Sequence, residues 1–364
     1  MNWYEINGAD QILSPALAIY PDRIKQNIEQ MISIAGSKRR LRPHVKTYKM
    51  PQIVKMQMDM GITKFKCSTI AEAKMLVDSG CNDIVLAMPT VGPAQFMTLK
   101  LKREHSKIKL GALIDNKSQI KSWKNHLEKN ESVDLFIDIN VGMNRTGIDI
   151  ESAKELYSDL LFDKQFNIRG LHVYDGHNRR STVTDRAKQV EEEYDPVQKW
   201  LQVIDPNDNL EVICGGSITF PCHARDGRRT LSPGTTLLWD AGYGTHFPDI
   251  PMKPAAILIT RVISLPDNNL ICLDLGHKSI GSEMQDKRVI FPQLADYKRV
   301  GHSEEHLVLQ LKDTSTFMIG DVIYGIPWHI CPTVALHAEV VVIEKNEVID
   351  YWPVVARHRH YRLS

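Results

Sequence analysis

Short apolar runs recur through the first two thirds of the chain, and polar stretches with helical spacing separate them. After an opening run at 16–20, apolar runs fall at 64–67, 84–87, 110–114, 135–140, 171–174, 212–216 and 237–240. The first half of 41–49 reads as one more short strand, with Pro43 suited to its first turn or to an edge because it has no N–H to donate. Helical patterns fill most of the gaps, at 48–60, 69–79, 93–103, 117–127, 150–161 and 184–203. Strands that are apolar throughout and separated by helices indicate a parallel sheet covered on its outer face. Eight such units in about 200 residues have the size of a (β/α)8 barrel. A doubly wound open sheet is the structural alternative, because the stretch between 216 and 237 holds only a short or irregular helix.

Ahead of the barrel pattern, Pro21-Asp22 leads into an amphipathic helix that runs to about Ala35, with Asp22 as the expected N-cap. Thr69-Ile-Ala-Glu72 has the form of a capping box. Beyond Pro254 the texture changes to β-rich segments at 255–262, 270–274, 307–311, 321–324 and 339–344, with turn residues between them and no long amphipathic helix. The expectation is therefore a barrel over 21–253 and a mostly β domain over 254–364. Residues 1–20 join the second of these, since the strand at 16–20 is left outside the count of eight.

Composition acts mainly by exclusion. Lys+Arg total 45 against 44 Asp+Glu, a balance that recruits neither nucleic acid nor an anionic membrane surface. No segment approaches the roughly 20 apolar residues of a membrane helix. The N-terminus lacks the basic and apolar regions of a signal peptide. Six cysteines are dispersed with no CxxC pair, which reads as reduced thiols in a cytoplasmic protein.

Five places could carry chemistry. Lys46 stands where a strand gives way to a helix; it is either a surface cation or a buried amine able to condense with a carbonyl cofactor. Cys214-Gly215-Gly216-Ser217-Ile218-Thr219 follows the seventh strand. It is a plain tight turn or an anion cradle to which Ser217 and Thr219 add hydroxyls. Pro233-Gly234-Thr235 falls ahead of the expected eighth strand, the wrong side for that cradle. Gly142-Met-Asn-Arg145-Thr-Gly147 follows the fifth strand, and Arg145 is a surface ion-pair residue or a holder of phenolate or phosphate oxygens. In His172-Val-Tyr174-Asp-Gly176-His177 the first histidine and the tyrosine share a face, and Gly176 allows a turn that brings His177 back. His329-Ile-Cys331, if extended, points both side chains one way, and imidazole with thiolate favours zinc. His302 and His306 have no assigned role, and His358 and His360 sit in a basic, solvated tail.

Arg42-Pro43-His44-Val45-Lys46-Thr47-Tyr48-Lys49 resembles the cofactor-lysine motif of the D-threonine aldolase and D-serine dehydratase family. These are pyridoxal 5'-phosphate (PLP) enzymes with the alanine racemase type of barrel, and the segments above extend the resemblance over most of the chain. Many relatives have His in place of Tyr48. The resemblance implies that Lys46 carries PLP, that Gly215, Gly216, Ser217 and Thr219 form its phosphate loop, and that Arg145 contacts it. Tyr174 and His177 would line its ring. His329 and Cys331 would hold a divalent metal beside it, zinc by preference and manganese otherwise. The implied reaction is cleavage of a small D-β-hydroxy amino acid, with glycine and an aldehyde as products in the D-threonine aldolase manner. Its alternative is zinc-dependent dehydration of D-serine or D-threo-3-hydroxyaspartate to a keto acid and ammonia, for which Cys331 argues. An amino-acid racemase and a PLP carrier without turnover are more distant. A homodimer is implied by the same resemblance, with no nucleic-acid or membrane partner.

Overall fold

The computed structural model describes residues 2–285 and 287–359. The chain sorts into two compact units. One takes in the chain up to Gln30, Thr47–Gln52 and Thr235–Arg357; the other takes Met31–Lys46 and Ile53–Gly234. His360 lies outside the described residues, and His358 is exposed.

Strand β1 (Ala16–Ile19) leads into α1 (Pro21–Ala35). Pro21 opens the helix with its preset φ, so Asp22 lies inside the first turn instead of capping it, where its carboxylate still meets the positive end of the helix dipole. The chain then alternates: α2 (Pro51–Asp59), β2 (Lys64–Cys67), α3 (Ile70–Asp78), β3 (Asp83–Leu86), α4 (Pro93–Glu104), β4 (Lys109–Ile114), α5 (Lys117–Lys124) and β5 (Val133–Ile139). It continues with α6 (Ile150–Leu161), β6 (Phe166–Val173), α7 (Val183–Ile204), β7 (Glu211–Cys214), α8 (Phe220–His223) and β8 (Arg229–Leu231). Strands β2 to β8 form a seven-stranded sheet, parallel throughout, in the order in which they occur in the chain. That order lacks the reversal a doubly wound sheet needs, so the open-sheet alternative falls. Period-two alternation divides the strand side chains between two cores. Leu135, Ile137, Leu171 and Val173 pack outward with Trp123, Leu156 and Leu201 of the helices. Val85, Leu113, Phe136 and Ile213 form a separate inner cluster.

Two of the eight expected strands are not strands. Residues 237–240 are apolar enough, but Trp239 adopts φ 44°, in the left-handed region that interrupts extended chain, and Thr235–Leu237 is a 3-10 turn. Asp240 then caps α9 (Ala241–His246) by accepting the Tyr243 N–H at 2.8 Å. The strand that pairs with β7 is β8, whose first residue, Arg229, is buried and bonded to Glu191 and Asp226. The lysine segment also differs. Residues 41–44 are extended but make only single bridges, Leu41 to Leu231 and His44 to Lys66, and Val45–Thr47 is a 3-10 turn. The N–H groups of Arg42 and His44 bond to Leu231 O and Pro233 O, while the Lys66 N–H bonds to Pro43 O. The seven-stranded ring is thus not fully closed, and this segment lies in its gap.

Arg42 is completely buried there, with Asp83 Oδ1 at 3.0 Å and Glu211 Oε2 at 2.7 Å. Lys64 and Arg169 join the same two carboxylates. Lys64, Asp83 and Glu211 are the first residues of β2, β3 and β7, so this network clamps the N-terminal ends of the strands, the end at which a parallel barrel invests in stability.

In the other unit, β1 lies between β9 (Ala256–Asp267), antiparallel to it, and a parallel strand further along the chain. The sheet continues through β10 (Leu270–Leu273), β11 (Val289–Ile290), β12 (Lys298–His302), β13 (Leu307–Gln310), β14 (Val322–Pro327), β15 (Glu339–Glu344) and β16 (Glu347–Pro353), with β15 as that parallel neighbour. Its core joins Tyr4, Ile6 and Ala18 to Ile257, Ile259, Tyr324 and Val341. One short helix, α10 (Ile330–Leu336), follows β14. No helix among the described residues is long and apolar enough to cross a membrane.

Candidate active site

The barrel unit gathers the candidate side chains at the C-terminal ends of the strands. Lys46 is half-buried, with its backbone N–H on His44 Nδ1 at 3.2 Å. The His44–Lys66 bridge sets a second lysine beside this segment. Lys66 is 3% exposed, and its Nζ lies 3.2 Å from His172 Nε2, while His172 Nδ1 lies 2.7 Å from Asp138 Oδ1. Burial and the charge of Lys46 push the Lys66 amine down to about 7. Burial and Lys66 also lower His172.

The loop after β7, the candidate anion cradle, holds its Thr219 and Ser217 hydroxyls in bonds of its own. Gly215 has φ 72°, a conformation that makes the turn and that glycine adopts without strain. The Thr219 hydroxyl accepts the Gly216 N–H at 3.1 Å and donates to Asp175 at 2.7 Å, so it shapes the loop instead of reaching outward. His223 Nε2 closes the same carboxylate at 2.9 Å; burial opposes its protonation, but Asp175 raises it to about 10. Because β8 ends at Leu231, Pro233-Gly234-Thr235 follows the last strand, correcting the expectation that it precedes it. Gly234 N–H bonds to Ser217 Oγ at 3.1 Å, joining the loops after β7 and β8. A Cβ on Gly216 would stand 3.0 Å from the Tyr174 ring, so the ring lies against bare backbone. Arg145, exposed, places its guanidinium carbon 5.0 Å from the centre of that ring. His177 turns to Glu193 of α7 at 2.9 Å, which occupies its Nε2.

The second unit holds the His329–Cys331 pair. It does not arise by strand alternation: His329 is the extended N-cap residue of α10 and Cys331 lies in its first turn. The junction still sets imidazole and thiol close enough for each to shift the other's protonation. Burial raises the Cys331 thiol, but His329 and the Thr235 and Thr47 hydroxyls outweigh it and hold the group below its ordinary value. Thr47 Oγ1 is 3.2 Å and Thr235 Oγ1 3.5 Å from Cys331 Sγ. His329 Nδ1 bonds to a Glu283 carboxylate oxygen, which leaves Nε2 as its other ring nitrogen. Asp240, buried and raised by that burial to about 6, accepts the Ile330 N–H at 3.1 Å. Among the described residues no group of three or more His, Cys, Asp or Glu side chains forms a ready metal cage. The pair fits zinc as a two-point anchor: a favoured thiolate and an imidazole oriented by a carboxylate are soft and borderline donors of the kind zinc takes. All six cysteines are free thiols.

A ring of parallel strands in chain order, followed by a mostly β unit, is the alanine racemase-like architecture. A family model described as "Alanine racemase, N-terminal domain" matches residues 19–226, more than half of the chain, and one described as "Putative serine dehydratase domain" matches 255–343. D-threonine aldolase of Arthrobacter sp is 26% identical over 328 residues, covering 87% of this chain and 85% of that relative. The crystal structure of D-threonine aldolase from Filomicrobium marinum matches with TM-score 0.87 at 24% identity, over 97% of this chain and 98% of that one. D-threo-3-hydroxyaspartate dehydratase from Delftia sp. HT23 matches with TM-score 0.81 at 20% identity, over 95% and 98%. The chain belongs to the alanine racemase N-terminal domain family, and within it to the enzymes of the D-threonine aldolase and D-serine dehydratase family.

Four polar residues of these sites escaped the sequence reading: Lys66, Asp138, Asp240 and Glu283. Lys66 and Asp138 each interrupt an apolar strand at an inward-facing position, a signal that was present. Asp240 and Glu283 stand in irregular chain and carry no comparable signal.

Proposed function

We propose that this protein is a PLP- and divalent-metal-dependent lyase for small D-β-hydroxy amino acids, cleaving them in the D-threonine aldolase manner to glycine and an aldehyde. The observation that carries the reading is the position of Lys46: it ends the segment lying in the gap of the ring, two residues beyond the bridge to Lys66. The loop at 215–217, tied to Gly234, supports a phosphate site at the same ends of the strands. When bound, PLP supplies an electron sink for the bonds at an amino acid's Cα. A metal ion on His329 and Cys331 would supply a Lewis acid for a hydroxyl group. The chain's own residues divide the rest of the work. Lys46 carries the cofactor and then moves protons with its freed nitrogen. The turn at Gly215 and Gly216 presents backbone to the phosphate, with Ser217 at its edge. Tyr174, against Gly216 and under Arg145, walls one side of the ring's space, and Glu283 fixes the imidazole of His329. The reading includes a cytoplasmic homodimer with neither nucleic acid nor membrane as partner.

The same parts support a second reading, dehydration to a keto acid and ammonia. A base that takes the β-hydroxyl proton leads to Cα–Cβ cleavage, whereas Lys46 taking the α-proton leads to loss of the hydroxyl. The observation favouring dehydration is the thiol of Cys331 beside His329. The Delftia dehydratase has been solved as a cysteine-to-alanine variant in the metal-free form, and as a histidine-to-alanine variant two positions earlier in its chain. That is the spacing of His329 and Cys331. Incubation of the PLP- and zinc-loaded protein with D-threonine separates the readings. Acetaldehyde with glycine supports the aldolase, 2-oxobutanoate with ammonia supports the dehydratase, and unchanged D-threonine, D-serine and D-threo-3-hydroxyaspartate would overturn both.

A further inference from the structure

In the second unit, β11, β12 and β13 line a cavity of about 540 Å3, within the range of small-molecule sites. Part of its wall is apolar, with Leu307 and Leu309 on it, and part is basic, with Lys287, Arg288, Lys298 and Arg299. Among the described residues no Asp or Glu lines it, and none of the four cations has a carboxylate partner. Other lysines of the same unit do pair, Lys278 with Glu304 and Glu305 and Lys312 with Asp296. Register explains how an arginine comes to stand there. Arg299 of β12 faces Leu309 of β13, and alternation gives Leu307 the same face as Leu309. Two consecutive carbonyls then gather both arginines: Met284 O accepts Arg288 Nε at 3.1 Å, and Gln285 O accepts Arg299 Nη2. Guanidiniums held on adjacent peptide groups repel each other, and neutral carbonyls do not cancel their charge. Arg288 Nη1 donates to His302 Nδ1, while His302 Nε2 donates to Leu275 O at 3.1 Å, so that imidazole is neutral as well. Burial, and then Arg299, hold the Arg288 guanidinium below its ordinary value, with Glu283 opposing. Arg299 Nη1 is buried with no hydrogen-bond partner among the described residues. A cation taken out of water without an anion is costly, and an unpaired buried donor calls for a partner from outside the chain.

We propose that this cavity binds a small organic phosphate carrying two anionic groups, held by Lys287, Arg288, Lys298 and Arg299. Guanidinium forks match phosphate oxygens in pairs, and the two exposed lysines add point charges at the edge. Leu307 and Leu309 give the carbon frame of the molecule an apolar wall. The site goes beyond the proposed lyase reaction and does not depend on it, since the phosphate of PLP is assigned to the loop after β7, in the other unit.

The test is calorimetric titration of the PLP- and zinc-loaded protein at fixed ionic strength, so that the barrel's own phosphate site is taken. The probes are fructose 1,6-bisphosphate, 3-phosphoglycerate and inorganic phosphate. Saturable binding of one organic phosphate per chain is expected, about tenfold tighter than inorganic phosphate. Arg299→Gln is expected to weaken it about tenfold. If Arg299→Gln does not fold, Lys298→Glu carries the test, because it reverses a charge at an exposed position and is expected to weaken binding by a similar factor with an unchanged melting temperature. No saturable binding of either organic phosphate overturns the proposal, as does binding that these variants leave at wild-type strength. Binding that Lys298→Glu keeps and Cys331→Ala abolishes would put the anion on the metal and overturn it too.

Discussion

Ser217 Oγ accepts the backbone N–H of Gly234 at 3.1 Å, and this one bond ties the loop after β7 to the loop after β8. Behind it, Gly215 sits at φ 72° with no room for a side chain: a Cβ would come within 2.8 Å of His223 Cδ2. Gly215→Ala therefore combines a left-handed backbone penalty of about 1–2 kcal/mol with displacement of the Asp175–His223 pair. The expected outcome is a lower melting temperature together with weaker PLP binding, read by titrating the visible band. Unchanged PLP affinity would show that the loop does not hold the phosphate.

Glu283 touches the His329 ring on the nitrogen opposite to the one left for a ligand. Removing such an outer-shell carboxylate typically weakens metal binding by about 10–100-fold. Glu283→Gln is expected to lower zinc affinity in that range, measured by competition with a chelator of known strength. Cys331→Ala is expected to abolish stoichiometric zinc. Full zinc retention in Cys331→Ala would remove the metal from the account and leave the barrel site standing.

Acid stability should depend on Glu211. Burial raises its carboxyl, but Arg42 and Lys64 outweigh burial and hold it at about 2, against an ordinary 4.5. A carboxyl lowered by folding contributes stability that is fully present above the unfolded value and is lost as the pH falls through the folded one. The window is thus pH 4.5 down to about 2, and the contribution is on the order of 3 kcal/mol. Urea unfolding across that window is expected to show a steep loss for wild type and a shallower one for Glu211→Gln. Arg42→Met, which removes the fully buried partner of two carboxylates and leaves them only Lys64 and Arg169, is expected to cost about 3 kcal/mol at neutral pH.

Where the chain is apolar without interruption, the sequence pattern located the elements closely. The expected 64–67 is β2 itself, and the expected helix at 150–161 is α6, whose start is fixed by Asp149 accepting the N–H groups of Glu151 and Ser152. The pattern failed where polar residues are buried or apolar ones turn. Arg229 disguises β8, and Leu237-Leu238-Trp239 imitates a strand that the left-handed backbone at Trp239 forbids. Sites fared similarly. The candidacy of Lys46 rests on a contiguous motif, legible without the fold. Lys66 left only the signal of a charge inside an apolar strand, and its partner could not be read: Lys64 and Lys66 look like one polar strand face, yet Lys64 pairs with Glu211 while Lys66 meets His172, a residue 106 positions away.

The central claim is that the nitrogen of Lys46 is the attachment point of PLP. Borohydride reduction of the PLP-loaded protein, followed by proteolysis and mass mapping, tests it most directly. The account predicts a single phosphopyridoxyl-modified peptide containing Lys46, absent from the Lys46→Ala protein. Modification of another lysine with Lys46 unlabelled, or a trapped chromophore that survives Lys46→Ala, would contradict it.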